Sequence, residues 1–134
     1  MSETTAQATK GDGYAVANLS DLGEGPGFRK IRKELGVTAF GVNAIVLPPG
    51  YASGRHFHER QQELYFVHSG RIAISVGDEV HELGPGGLAR VDPGTVRQLR
   101  NLSDTDEAVY LCVGGADGYV GRDGRLPEDE VSAR

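Results

Sequence analysis

The sequence predicts an all-β protein of antiparallel strands, a sandwich or barrel preceded by a short helical or irregular segment. Three observations carry this. From Phe40 onward, about seven short β-type runs follow one another at intervals near ten residues, the rhythm of such folds. The chain's 20 glycines fall largely beside Pro, Asp or Ser, which is turn punctuation and not the pattern of a helical bundle. Between Arg71 and Val76, the residues Ile72, Ile74 and Val76 alternate with Arg71, Ala73 and Ser75, the period of a half-buried strand.

Taken in order, residues 1–13 are polar and rich in small side chains and read as a disordered or loosely docked tail. Residues 14–39 form an arm expected to pack on the body of the protein. Within it Gly23-Glu24-Gly25-Pro26-Gly27 is a loop, and Phe28, Ile31 and Leu35 recur at helical spacing with Gly36 at the capping position. Residues 40–114 carry the strands. Val42 to Leu47 is apolar and β-branched and is stopped by Pro48-Pro49-Gly50. Glu63 to His68 and Arg71 to Val76 follow, linked by Ser69-Gly70. Gly77-Asp78 is a two-residue hairpin signal leading into Glu79 to Leu83. Leu88 to Val91, Arg97 to Leu102 and Ala108 to Val113 complete the set. Residues 115–134 are polar, with an acidic Glu128-Asp129-Glu130 run, and read as a solvated tail.

At 134 residues the chain suits one domain with its own core. Fourteen Lys and Arg against 19 Asp and Glu give a net charge of -5, without a basic stretch, which argues against nucleic acid and anionic membrane surfaces as partners. No segment has the apolar length of a membrane span, and the first residues lack the apolar centre of a signal peptide. Cys112 is the only cysteine, so no intrachain disulfide forms and a reducing, cytoplasmic setting is expected.

The chemistry concentrates in one stretch. On a strand, residues two apart share a face, so His56 and His58 project side by side, and Glu63, Tyr65 and Val67 share a face of the next strand. A short link would bring Glu63 opposite the histidine pair. Two neutral imidazoles and a carboxylate converging in this way suit a divalent transition metal.

Gly50, then His56-x-His58, Glu63 and Gly70 stand at the spacings of the complete first motif of the cupin superfamily, which the chain resembles. Gly86, Asp92-Pro93-Gly94, Arg97 and Asn101 are similar to the second motif, with Asp92 in place of a proline and Arg97 in place of the fourth ligand, a histidine. The resemblance implies a small, single-domain cupin of the cupin 2 type, an RmlC-like jelly-roll barrel with the ligands inside. It implies a metal (Fe, Mn, Ni or Zn) on His56, His58 and Glu63, and a small-molecule ligand near Arg97, Tyr65 and Asn101.

Arginine has no lone pair for a metal and keeps its charge in proteins. Two readings follow. In one, the metal stays on three protein ligands with open positions, and Arg97 holds an anionic group of an acidic substrate, as in an oxygenase or isomerase. In the other, Arg97 pairs with Glu63, and the protein is a metal-free module for a small anion, or a structural dimer with a vestigial site. Phe57, Leu64 and Phe66 on the opposite face would be exposed unless the segment from Phe28 to Leu35 covers them, and such a patch points to a homodimer. Arg55 and Arg90 lie near the expected rims, where they could steer an anion. His68 and His81 read as ordinary surface residues, and Cys112 as a small buried hydrophobe.

Overall fold

Strand-forming runs separated by glycine turns fold into two facing antiparallel sheets in the computed structural model, which describes residues 8–127. The strands are β1 (Thr9–Gly11), β2 (Tyr14–Val16), β3 (Gly27–Arg29), β4 (Gly41–Leu47), β5 (Phe57–His58), β6 (Gln62–Ser69), β7 (Ile72–Val76), β8 (Glu79–Leu83), β9 (Leu88–Val91), β10 (Arg97–Asn101), β11 (Ala108–Gly115) and β12 (Gly124–Arg125). The larger sheet runs β3-β4-β11-β6-β9 and the smaller β10-β7-β8. This is the expected jelly roll, but the sheets do not join into a closed barrel. The segment that would carry the sheet onward, the glycine-containing stretch from Tyr51 to His56, runs beside β10 and pairs with it in two isolated bridges, Ala52–Arg100 and His56–Arg97, not in a continuous ladder.

The core lies between the two sheets, on Ile45, Leu47, Val67, Ile72, Ile74 and Leu99, all buried. Alternation decides which face each strand gives it. In β6, Glu63, Tyr65 and Val67 point inward while Leu64 and Phe66 stay exposed. In β10, Arg97, Leu99 and Asn101 are each 1% exposed, as their period of two predicts. Gly70 is the one turn position where a side chain is excluded twice over. Its φ is +84°, and an added Cβ would lie 2.8 Å from the Ala108 backbone.

The arm departs from its expected form in one respect. A five-residue helix, α1 (Ile31–Leu35), ends at Gly36 in the left-handed conformation, but Phe28 lies ahead of it on β3, opposite Ile45 and 60% exposed. Because α1 packs on β4, it leaves Leu64 and Phe66 on β6 uncovered.

Both expected tails contain structure among the described residues. Thr9–Gly11 pairs with Tyr14–Val16 as an exposed hairpin, while residues 1–7 lie outside the description. At the other end the expected solvated tail is instead docked as far as Pro127. Val120 and Asp123 are buried, and β12 pairs with β5 (Gly124 with His58, Arg125 with Phe57). The acidic run from Glu128 to Glu130 lies outside the described residues.

Candidate metal centre

The local path of the chain explains why the three predicted ligands meet. Past Gly50 the backbone runs antiparallel to β10, with His56 and Arg97 exchanging both backbone hydrogen bonds (3.1 and 2.8 Å). Their side chains therefore leave the same face as direct cross-strand neighbours. Two residues on, His58 sits in β5, and the link Glu59–Gln61 reverses the chain into β6, which brings Glu63 back against the histidines.

One ligand atom from each of His56, His58 and Glu63 lies within 4.8 Å of the others. The imidazole rings are 5.2 Å apart, edge to face. Glu63 is buried, and the two histidines are half-buried at the open end of the cluster. His56 Nδ1 lies 2.9 Å from the Gly54 carbonyl oxygen, which can only accept, so Nδ1 carries the proton and Nε2 is left with its lone pair. His58 Nε2 faces Glu63 Oε2 at 3.2 Å. Donor chemistry and spacing thus fit a divalent transition ion.

Around the cluster lies a layer of hydrogen-bonding groups. Tyr65 donates its hydroxyl to Glu63 Oε1 at 2.5 Å, and Gln61 Nε2 donates to Glu63 Oε2 at 3.0 Å. The same amide nitrogen lies 3.0 Å from His58 Nδ1. The Asp123 carboxylate accepts the backbone N–H groups of Gln61 (2.8 Å) and Arg60 (2.9 Å), and stands 3.7 Å from His58 Nδ1.

Arg97 is the outlier. It is 1% exposed, and among the described residues its side chain makes one hydrogen bond, a long 3.5 Å contact from Nη2 to the Asp92 carbonyl. Nε and Nη1 are buried with no hydrogen-bond partner among the described residues. The expected alternative of an Arg97–Glu63 ion pair is not what forms. Both carboxylate oxygens of Glu63 are already engaged, by Tyr65 and by Gln61. A guanidinium with two nitrogens lacking hydrogen bonds therefore stands beside the ligands.

Electrostatics record this crowding. Burial lowers the His58 pKa below its ordinary value; Glu63 and Asp123 oppose the shift, while Arg97 and His56 reinforce it. Burial, with Cys112 and Glu63 adding to it, pushes the Tyr65 hydroxyl far above its usual range. Burial and Glu63 do the same to the Cys112 thiol. For Asp123, burial acts upward, but the N–H groups of Gln61 and Arg60 outweigh it and the net shift is downward.

A cleft of about 970 Å³ opens onto the cluster, lined at its inner end by His56, His58, Glu63, Tyr65, Tyr110 and Cys112. Of the residues expected to bind substrate, Tyr65 lines it, whereas Arg97, buried and paired across from His56, is not among the lining residues. Asn101 is elsewhere. Its Nδ2 donates to the carbonyls of Leu47 (3.1 Å), Pro48 (3.1 Å) and Asp106 (2.8 Å), and its Oδ1 accepts the Ser103 N–H (2.9 Å). With that hydrogen-bonding capacity taken by backbone, Asn101 ties β10 to the turns at the far end of the sheet and presents nothing to the cleft. Arg55 reaches the cleft, whereas Arg90 is exposed and paired with Asp92 at 3.2 Å. His68 is exposed on the outer face, and His81 pairs with Glu79 on the surface.

Gln61 and Asp123 are residues in contact with or beside the cluster that sequence reasoning missed. Gln61 could have been found, because it precedes Glu63 by two and shares its face. Asp123 carries no spacing signal at all.

Comparison with known proteins follows this geometry. The family model described as "Cupin domain" matches residues 43–114. No curated protein matches the chain. Among solved structures, a sugar phosphate isomerase of the cupin superfamily from Silicibacter pomeroyi is similar at 31% identity, over 65% of this chain and 57% of that one, with a TM-score of 0.61. A cupin protein from Bacteroides fragilis is similar at 25% identity, over 78% of this chain and 90% of that one, with a TM-score of 0.60. A Klebsiella pneumoniae protein with a double-stranded β-helix domain matches at 25% identity, over 67% and 76%, with a TM-score of 0.59. The chain thus spans a little over half the length of the isomerase that it resembles.

Proposed function

The chain belongs to the cupin family, and from that premise we propose that it is a metal-binding cupin acting on an anionic small molecule. His56, His58 and Glu63 would hold a divalent Fe, Mn, Ni or Zn ion. Such an ion would act as a Lewis acid toward a substrate oxygen at its open positions. The observation that carries the reading is Arg97, a buried guanidinium with two unpartnered nitrogens next to a three-ligand cluster.

A positive charge there disfavours a bare cation and favours one accompanied by an anion. Arg97 stands opposite His56 without lining the cleft, so it would act on a bound carboxylate or phosphate through its field, or by a small rotation of its long side chain. Tyr65 holds Glu63 in place and faces the same ligand. Likeness to a sugar phosphate isomerase supports an isomerase-type reaction on an acidic substrate over oxygenase chemistry. The second reading, a metal-free module for a small anion, draws on the same unpaired Arg97.

The two readings separate by experiment. Protein purified without an affinity histidine tag is assayed for metal by elemental analysis, then titrated calorimetrically with Mn²⁺, Zn²⁺, malonate and a sugar phosphate. Stoichiometric metal, with anion binding strengthened by it, is the expected result. Anion binding with no bound metal under aerobic or anaerobic preparation supports the module and overturns the metal reading.

We further propose a homodimer through the outer face carrying Leu64 and Phe66, 43% and 38% exposed, with Leu88 beside them at 59%. Light scattering of Phe66→Lys checks this: a dimeric parent and a monomeric variant are expected. The free Cys112 supports a cytoplasmic location.

A further inference from the structure

The segment that follows β11 lies beyond the family match, which ends at residue 114, yet it clamps the ligand-bearing hairpin at every level. β12 pairs with β5, so Gly124 stands opposite His58. Glu59 N–H donates to the Asp123 carbonyl at 3.2 Å, and Arg125 pairs with Glu59 at 3.1 Å. Asp123 itself is 6% exposed, and its Oδ2 accepts the N–H groups of both Arg60 and Gln61. The same oxygen is 3.7 Å from His58 Nδ1.

The proton on His58 gives this arrangement its meaning. Gln61 Nε2 is a donor to both Glu63 Oε2 and His58 Nδ1, which makes Nδ1 an acceptor and leaves the imidazole proton on Nε2, directed at Glu63. Nε2 is the nitrogen that faces the other two ligands. To offer its lone pair to a cation, His58 must carry its proton on Nδ1, and that proton needs an acceptor. Rotation of the Gln61 amide supplies one possible oxygen. Among the described residues, the Asp123 carboxylate is the one ionised oxygen placed by Nδ1, and a carboxylate on the far nitrogen fixes the tautomer and raises the basicity of the coordinating one.

We propose that Asp123 is the positioning residue of the metal centre. It holds His58 in the Nδ1–H tautomer and orientation that present Nε2 to the ion, and it is delivered by a C-terminal strap outside the family's barrel. The inference rests on the metal-site reading above.

Zinc affinity is measured for the full chain by competition with a chromophoric chelator, beside thermal unfolding and imidazole ¹⁵N shifts of His58. Asp123→Asn keeps an oxygen to cap Arg60 and Gln61, so its fold and melting temperature should stay near wild type. Its zinc affinity should fall about 10- to 100-fold, the usual effect of removing such a partner, and the His58 Nδ1–H signature should weaken. Arg125→Ala loosens the strap but leaves the carboxylate, and should bind zinc as wild type does. A wild-type chain that binds no zinc overturns the metal-site reading and this inference with it. Wild-type binding with Asp123→Asn unchanged overturns this inference alone. Equal losses in Asp123→Asn and Arg125→Ala also overturn it, since the strap would then serve only to stabilise the fold.

Discussion

Replacing Arg97 with methionine should move three measurable quantities in the directions expected of a buried charge whose hydrogen bonds are incomplete. The side chain leaves the strand directly opposite His56, where cross-strand Cβ atoms sit about 5 Å apart. Taking about 7 Å from the guanidinium to an ion held by the three ligands, and an effective dielectric near 20, the repulsion on a divalent ion is about 5 kcal/mol. Water in the open cleft screens part of this, so a gain of about 2–5 kcal/mol is expected. That is roughly 30-fold or more in metal affinity. Malonate, a dianion at neutral pH, interacts with the same charge about as strongly as the divalent ion does but with the opposite sign, so it should bind the metal-free variant more weakly by about 2–5 kcal/mol. Stability of the metal-free protein should rise by about 1–4 kcal/mol, as when buried ionic groups give way to apolar ones of similar volume. Chelator competition, calorimetry and urea unfolding read the three. Unchanged metal affinity in a folded variant, together with lower stability, would refute the reasoning, because it would mean that Arg97 is well partnered.

Other consequences follow from the same geometry. Tyr65→Phe removes the hydroxyl donated to a buried carboxylate and should destabilise the metal-free protein by about 1.5–3 kcal/mol, measured by urea unfolding. Asn101→Ala strands several buried backbone groups and should cost about 2–4 kcal/mol in the same measurement, while zinc affinity holds, since the residue is remote from the cleft. The depressed pKa of His58 means that below its ordinary value of 6.5 the unfolded chain takes up the proton before the folded one. Stability should therefore fall as pH drops from 6.5 toward the lower folded pKa, and be free of this penalty above 6.5. A His58→Gln variant should flatten that part of the stability profile.

How far this was legible in the sequence depended on whether a feature is periodic. Period two carried the inward faces of β6 and β10, and so assigned Glu63, Tyr65 and Arg97 correctly to the interior. The ligand set met as expected because its members are separated by short links. The same alternation misled at Asn101, because it gives the face but not the position along the strand. Four residues from Arg97 is about 13 Å, which carries Asn101 to the other end of the sheet. The polar residues after Gly115 read as solvated because polarity was their only visible signal. Asp123 is buried there because it meets backbone donors 62 and 63 positions earlier, and no local pattern encodes such a contact.

That separation also sets an order of assembly. His56, His58 and Glu63 leave the ribosome together, long before the strand that pairs with His56 at Arg97 and the strap that caps the hairpin at Asp123. Contacts of such long range form late, after the loop-closure entropy has been overcome. A nascent chain halted before residue 123 would hold the three ligand side chains without the frame that aligns them. On the proposed metal-site reading, loading would therefore belong to the finished fold and would not serve as its nucleus.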